Sequence, residues 1–427
     1  MPRKHRRWGR VLKIAGLFFI AVFVIVFIPR RIAKPIRHQI IASYSVHDPA
    51  FRESISHLVS APLLPSNSIV TLINGQEMFP AMLEAIRGAK ESITMENFIF
   101  RSGELSAQFV PALVEKAHAG VNVHVIMDSL GCSRLKQSEL DQLEKAGVQF
   151  VKYNRTEWHK LLRVNHRDHR KILVVDGRIG FTGGACLADE WMGNADSKTH
   201  WRDTQFRIEG PAVAQLQGVF VANWIVTQGR VLHGSNYFPV QKPAGTILAR
   251  CYRTGPDDGI EAARLVYLYS IAAARQSIRI AHSYFVPDDL VIDSLLEARK
   301  RGVKVEIITP GIIDANVVRR ASRARWNELI KARVEFYEYQ PSLFHCKMMI
   351  VDDVWVTTGT VNFDDRSFRI NDENTLEVWD EKFAAEQTRQ FEIDKAKCRR
   401  ITAEEYKKRR WYVKAAEEFA SYFRAWL

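Results

Sequence analysis

Apolar and polar positions follow two periods along this chain, and the same succession of periods occurs twice. In LVEKAHAGVNVHVI (113–126) and LLEARKRGVKVEII (295–308), apolar residues first recur at helical spacing. A glycine follows in each, and then apolar residues alternate at period two. Each stretch predicts an amphipathic helix, a glycine at its C-terminal end and a strand. Upstream, Ala89–Met95 leads to Phe98 and Phe100 as Ala274–Ile280 leads to Tyr284 and Phe285. Downstream, LEKAGVQFVKY (143–153) matches LIKARVEFYEY (329–339). The three matches keep their order at offsets near 185 residues, so the chain contains a duplicated α/β unit. The predicted division is a first lobe over 41–245 and a second over 246–400. The Gly- and Pro-bearing stretch 225–250 forms the crossover.

The two ends have different patterns. Ile14 to Ile28 is fifteen uncharged residues, preceded by Lys13 and followed by Pro29-Arg30-Arg31 without a small-residue cleavage site. It is short for a span of about 20 residues, but a flanking lysine can reach the headgroups, and the flanks disfavour a cleaved signal. Residues 1–40 therefore predict a basic N-terminus with one membrane anchor. Residues 401–427 predict a basic, aromatic C-terminal helix, with four cations in a row at Lys407–Arg410 and aromatic residues from Tyr406 to Trp426. That helix either packs on the lobe or lies in a membrane interface.

Charge changes the picture once it is located. The 427-residue chain has 61 Lys+Arg against 48 Asp+Glu, a net +13 that invites a nucleic-acid reading. Residues 1–37 carry +10 and residues 395–427 carry +6, leaving −3 on the body. Basic ends suit anionic lipid; an acidic body does not suit DNA. The five cysteines are widely spaced with no C-x-x-C, which disfavours a zinc site or a disulfide framework.

The candidate chemistry sits at equivalent places in the two units. His169-Arg170-Lys171-Ile-Leu-Val-Val-Asp176 and His345-Cys346-Lys347-Met-Met-Ile-Val-Asp352 both read H-x-K-x-x-x-x-D. On a strand, i and i+2 share a side, so each histidine projects with its lysine. Two such pairs meeting in one cleft suit a phosphodiester. Lysines neutralise the non-bridging oxygens, one imidazole attacks phosphorus and the other protonates the leaving oxygen. This chemistry requires no metal and no cofactor. Asp176 and Asp352 complete the motif, but their odd separation from the histidines predicts a structural role on backbone or a turn.

These motifs, with RDHRKILVVDGRIGFTGG (167–184), HWRDTQFRIEGPAV (200–213) and FHCKMMIVDDVWVTTGTVNFDDRSFRINDEN (344–374), resemble the phospholipase D superfamily, and within it the bacterial cardiolipin synthase branch. The resemblance covers about residues 65–400. It implies two sheet lobes flanked by helices with the active site between them, and a phosphohistidine intermediate with His169 as nucleophile and His345 as acid. Gly359-Thr360-x-Asn362 matches the family's phosphate-binding turn, with Asn362 donating; Thr360 and Gly184 belong to the same turns in the two halves. Glu373 is expected to orient the second-motif histidine, His345, and Asp203 to do so in the first half. Where the family's first half has Gly-Gly-x-Asn, this chain has Gly183-Gly184-Ala185-Cys186, a weak thiol donor in place of an amide.

The implied activity is phosphatidyl transfer between phospholipids, giving cardiolipin from phosphatidylglycerol at a bacterial inner membrane. The alternative is a phospholipase D hydrolase that releases phosphatidic acid. A nuclease is disfavoured by the acidic body, so no nucleic acid is expected as partner. An inactive lipid-binding scaffold has only Cys186 in its favour. Arg319, Arg320, Arg323 and Arg325 form either a solvated basic face or a site for a lipid phosphate. His166 and His200 are expected to be structural.

Overall fold

The runs with period-two or continuous apolar character lie in one sheet. In chain order the first half contributes β1 (Leu64–Ile73), β2 (Ser92–Asn97), β3 (Asn122–Asp128), β4 (Gln149–Tyr153), β5 (Ile172–Val175), β6 (Ile179–Gly183) and β7 (Thr204–Glu209). The second half contributes β8 (Ile247–Thr254), β9 (Ser277–His282), β10 (Lys304–Ile312), β11 (Glu335–Leu343), β12 (Lys347–Val351), β13 (Trp355–Gly359), β14 (Glu373–Trp379) and β15 (Cys398–Ile401). A computed structural model of the chain describes residues 16, 36–154, 166–256 and 261–422. The apolar segment 14–28, apart from Gly16, lies outside these. No helix among the described residues is long and apolar enough to cross a membrane.

The strand order is β15-β11-β10-β9-β12-β13-β14-β8-β1-β7-β6-β5-β2-β3-β4. Apart from β15, the order outward from β8 repeats the order outward from β1, so the halves are related by a pseudo-two-fold between these strands, which pair antiparallel. β2, β3 and β4 are parallel to one another, as are β9, β10 and β11. Helices 106–118 and 289–300 make the β2–β3 and β9–β10 crossovers. Gly120 and Gly302 follow them at φ 85° and 88°, the left-handed conformation that a glycine adopts without a Cβ clash. The equivalent Gly147 (φ 87°) is replaced in the second half by Arg333, which keeps φ 64°. The turn has thus survived the loss of the residue that makes it easy.

β5 and β12 explain the unbroken apolar run inside each motif. Ile172 and Val174 face one core; Leu173 and Val175 face another. Met348 and Ile350 join the same first core, whereas Met349 and Val351 face a third. A strand buried on both sides has no polar face to show. The shared core lies under helices 212–228 and 381–395 and touches both halves, which fixes them against each other.

Candidate active site

The two motifs meet where β5 and β12 begin. The backbones cross there: His169 N–H donates to Asp372 O (2.9 Å) and Asp372 N–H to Arg167 O (2.9 Å). In the mirror arrangement His345 N–H donates to Arg202 O (2.7 Å) and Arg202 N–H to Leu343 O (2.9 Å). The buried Arg202 is held by both oxygens of Asp394, at 3.0 and 2.7 Å.

These crossings decide which acid reaches which imidazole. His169 Nδ1 lies 2.9 and 3.0 Å from the Glu373 carboxylate oxygens. His345 Nδ1 lies 2.7 Å from Asp203 Oδ2. This reverses the expectation that Glu373 serves His345 and Asp203 serves the first half: each acid reaches into the opposite half. The reason is the backbone pairing, which places residue 372 beside His169 and residue 202 beside His345. With Nδ1 occupied, the His169 ring keeps Nε2 for a substrate, whereas His345 Nε2 also has Lys347 Nζ at 3.2 Å.

The lysines follow the i+2 expectation. Both are buried, and each Nζ donates to the carbonyl of its own histidine at 2.7 Å. Lys347 Nζ also lies 3.2 Å from Ser283 Oγ, and Ser283 Oγ donates to Asn362 Oδ1 at 2.9 Å. At the matching position after β2 stands Phe98, whose ring is 5.2 Å from that of His169 and 5.7 Å from Lys171 Nζ.

Four residues grouped with the catalytic and phosphate-binding sets have other work. Asp176 accepts backbone N–H bonds from Lys90, Glu91 and Ser92, at 2.7–3.1 Å. Asp352 accepts from Arg275, Gln276 and Ser277 at 2.7–2.8 Å. Both sit at the far end of the strand from the histidines, in left-handed turns (φ 53° and 50°), and pin the entry to β2 and β9. Neither carboxylate belongs to the reacting centre. Thr360 Oγ1 donates to Glu373 Oε2 (2.5 Å) and its N–H to Asn374 O (3.0 Å), so it steadies the acid and not a phosphate. Gly184 N–H is used by Thr204 O (3.1 Å). A Cβ on Gly184 would stand 2.2 Å from Asp203 Oδ1, so glycine here makes room for that carboxylate.

Electrostatically the halves differ. Burial, with Lys171, Lys347 and His345 nearby, holds the His169 imidazole well below its usual pKa. Burial and Lys347 also lower His345, but Asp203 opposes them. Burial alone would raise Asp203; His345, Lys347 and the Trp191 indole N–H (2.9 Å) keep it below the usual carboxylate range. Glu373 is pushed up to about 7 by burial, against the pull of Lys171 and the Thr360 hydroxyl. Lys347 is brought down to about 8 by burial, with Asp203 resisting.

Sequence reasoning passed over Trp191 and Trp201; it placed Phe98 at the end of a strand equivalent to the one that ends at Ser283, where the tips face the cleft, but assigned it no contact with His169. The two indoles lie 4.3 Å apart, tilted by 58°, and pack against the His345 ring at 5.2 and 5.5 Å. One residue past β2 and β9, the self-comparison aligns Phe98 with Ser283; nothing in the duplication points to Trp191. His166 lies 3.1 Å from Asp372 and His200 3.0 Å from Asp196, away from the reacting rings. In the arginine group, Arg319 and Arg323 are committed to Glu338, and Arg325 to Asp289.

The family model for the phospholipase D-like domain of cardiolipin synthase matches residues 82–221 and 267–395, and so takes in both histidine–lysine motifs and their acids. This chain belongs to the cardiolipin synthase branch of the phospholipase D superfamily. It is 35% identical over 345 residues to cardiolipin synthase A of Pseudomonas fluorescens, which covers 81% of this chain and 72% of that protein. It is 33% identical over 350 residues to cardiolipin synthase 2 of Bacillus anthracis, with 81% and 68% covered. The crystal structure of phosphatidylserine synthase from Haemophilus influenzae superposes with a TM-score of 0.66 at 14% identity, over 88% of this chain and all of that one. At that identity the likeness concerns the fold. As a member of this branch the enzyme is a phosphatidyltransferase whose substrates are phospholipids.

Proposed function

We propose that the enzyme makes cardiolipin from two molecules of phosphatidylglycerol, with His169 as nucleophile and His345 as general acid and base. The contrast between the two orienting acids supports the assignment: Glu373, 2.9 Å from His169, is raised by burial, whereas Asp203, 2.7 Å from His345, is held low against burial by His345, Lys347 and the Trp191 N–H. An imidazole must be neutral to attack, and His169 sits among two lysines and a second histidine that disfavour its cation. An imidazole must be protonated to act as an acid, and Asp203, 2.7 Å from His345 Nδ1 and held below the usual carboxylate range, opposes the burial and Lys347 that lower His345.

In the first step His169 Nε2 bonds to phosphorus and the bond from phosphorus to the glycerol oxygen breaks. That oxygen takes the proton of His345 Nε2 and leaves as glycerol. In the second step a hydroxyl of the other lipid gives its proton to His345 and attacks phosphorus. The P–N bond breaks and both histidines are restored. Lys171, Lys347 and the Asn362 amide are the groups proposed to hold the phosphate oxygens. The lobes 41–245 and 246–400 each supply one histidine and one acid to this centre.

We infer that residues 14–28 anchor the chain in the bacterial inner membrane. The −3 of the body supports a lipid substrate and not a nucleic acid. The test is lipid analysis after expression in a cardiolipin-deficient bacterium, with H169A and H345A as controls. Cardiolipin from the wild type alone is expected. Phosphatidic acid without cardiolipin would replace transfer by hydrolysis. A phosphohistidine trapped on the peptide holding His345 would reverse the assignment.

A further inference from the structure

The C-terminal helix Trp411–Ser421 has two apolar faces, and one of them is buried against the described residues. At 3.6 residues per turn, Trp411, Tyr412, Ala415, Phe419 and the following Tyr422 fall within an arc of roughly 100°. On the opposite side Ala420 and Glu417 are buried against helix 316–324. Among the described residues nothing covers Trp411, Tyr422 and Tyr412 on the outer arc, which are 80%, 75% and 49% exposed. Contiguous aromatic exposure on this scale marks a contact surface.

The charges beside this arc identify what it contacts. Lys407, Arg410 and Lys414 are exposed next to it, as is Lys408, which Glu404 partly neutralises at 2.6 Å. Arg409 alone turns inward, to Glu417 and over the Tyr406 ring at 3.3 Å. Aromatic side chains flanked by cations match the interface of an anionic bilayer, with rings at the level of the headgroups and ammonium groups on the phosphates. A phospholipid-transferring enzyme must meet such a surface to reach its substrate.

The helix is also fastened to the catalytic cleft. Arg323 on helix 316–324 binds Glu417 (3.3 Å) and Glu338 on β11 (2.5 Å). Ser322 Oγ donates to Phe285 O (2.5 Å), and Val286, Val318, Ala321 and Ala420 form one apolar cluster. Residues 283–286 are the rim that carries Ser283, the partner of Lys347 and Asn362.

We propose that helix 411–421 with Tyr422 is a bilayer-docking surface that seats the second-half rim of the cleft on anionic phospholipid. The proposal rests on the phospholipid-transfer reading, and its test keeps the two apart. The full-length W411S/Y422S variant is compared with wild type on two substrates. One is phosphatidylglycerol in phosphatidylglycerol/phosphatidylethanolamine vesicles. The other is dihexanoyl phosphatidylglycerol, dispersed as monomers below its micellar concentration. Turnover on vesicles is expected to fall about tenfold, while turnover on the monomeric lipid stays within about twofold of wild type. A K407Q/R410Q/K414Q variant should lose about as much on these vesicles, and its residual rate should respond less to added salt. Equal turnover of wild type and W411S/Y422S on vesicles would overturn the proposal, as would equal losses on both substrates. So would a change in sedimentation without loss on vesicles, which would place a second copy of the chain on this face. Absence of turnover by wild type on either lipid would instead overturn the phospholipid-transfer reading.

Discussion

The two halves of the active site share a scaffold and differ in what surrounds the imidazole. Around His345 stand an ionised Asp203, the Trp191 and Trp201 indoles, and a polar chain from Lys347 through Ser283 to Asn362. Around His169 stand a Glu373 pushed up to about 7, the Phe98 ring and, at the position equivalent to Asn362, the buried Cys186. Duplication kept the backbone, down to the left-handed turns at Asp176 and Asp352. The charges and donors diverged. A reaction that forms a covalent bond on one histidine and moves a proton through the other is itself asymmetric, and equal environments would serve one of those tasks badly.

The largest expected effect breaks the comparison at the histidines. H169A and H345A should each lower turnover on phosphatidylglycerol by about 10⁴-fold or more. A phosphatidyl ester of nitrophenol, whose leaving group needs no proton, separates them: its first turnover should recover in H345A and not in H169A. Recovery in H169A instead would exchange the roles. The next effect compares the two donor positions. N362A should cost about 10²–10³ in kcat by removing an amide from the phosphate site, whereas C186A should cost less than about threefold. Equal losses would mean that the thiol does an amide's work.

A smaller effect is read from pH. Glu373 titrates near 7, and its carboxylate is the form that stabilises a charged His169, so activity should rise as pH increases through 7. Lys347 titrates near 8, and its cation is the form that holds phosphate, so activity should fall above 8. The profile is thus a bell with its maximum between these values. E373Q should lower the maximum by about tenfold, remove the acid limb and leave the alkaline one. Retention of the acid limb in E373Q would assign it to another group.

The duplicated unit, the apolar strand within each motif and the sharing of one side by each histidine and lysine were all legible in the sequence, because each is a local periodicity. The pairing of acids with histidines was not. The resemblance makes Asp203 and Glu373 corresponding acids of the two halves, but the motifs carry no information about how one half docks on the other. Docking is what puts Asp372 beside His169 and Arg202 beside His345. Asp176 and Asp352 illustrate the reverse case. Their separation from the histidines pointed to backbone partners, and three N–H groups converge on each. Trp191 escaped notice because its contact with Asp203 depends on the loop after β6, a segment without periodicity.

The smallest predicted effect bears most directly on why the halves differ. Cys186 is buried and burial raises its thiol pKa, so at neutral pH it offers a neutral, weak donor where the second half has an amide. C186N would bring an N–H₂ toward the phosphate, but its Oδ1 would face Phe98 where Asn362 faces the Ser283 hydroxyl. One half of the new amide is then satisfied by substrate and the other half by nothing, at a cost to stability of about 1 kcal/mol. The expected outcome is a rise in kcat of about two- to fivefold with KM unchanged, and a slightly lower Tm. F98S/C186N supplies the missing hydroxyl and should recover part of the lost Tm. If C186N leaves kcat unchanged or lowers it, the first half never lacked a donor. The apolar wall of Phe98 and Cys186 then serves to keep His169 neutral.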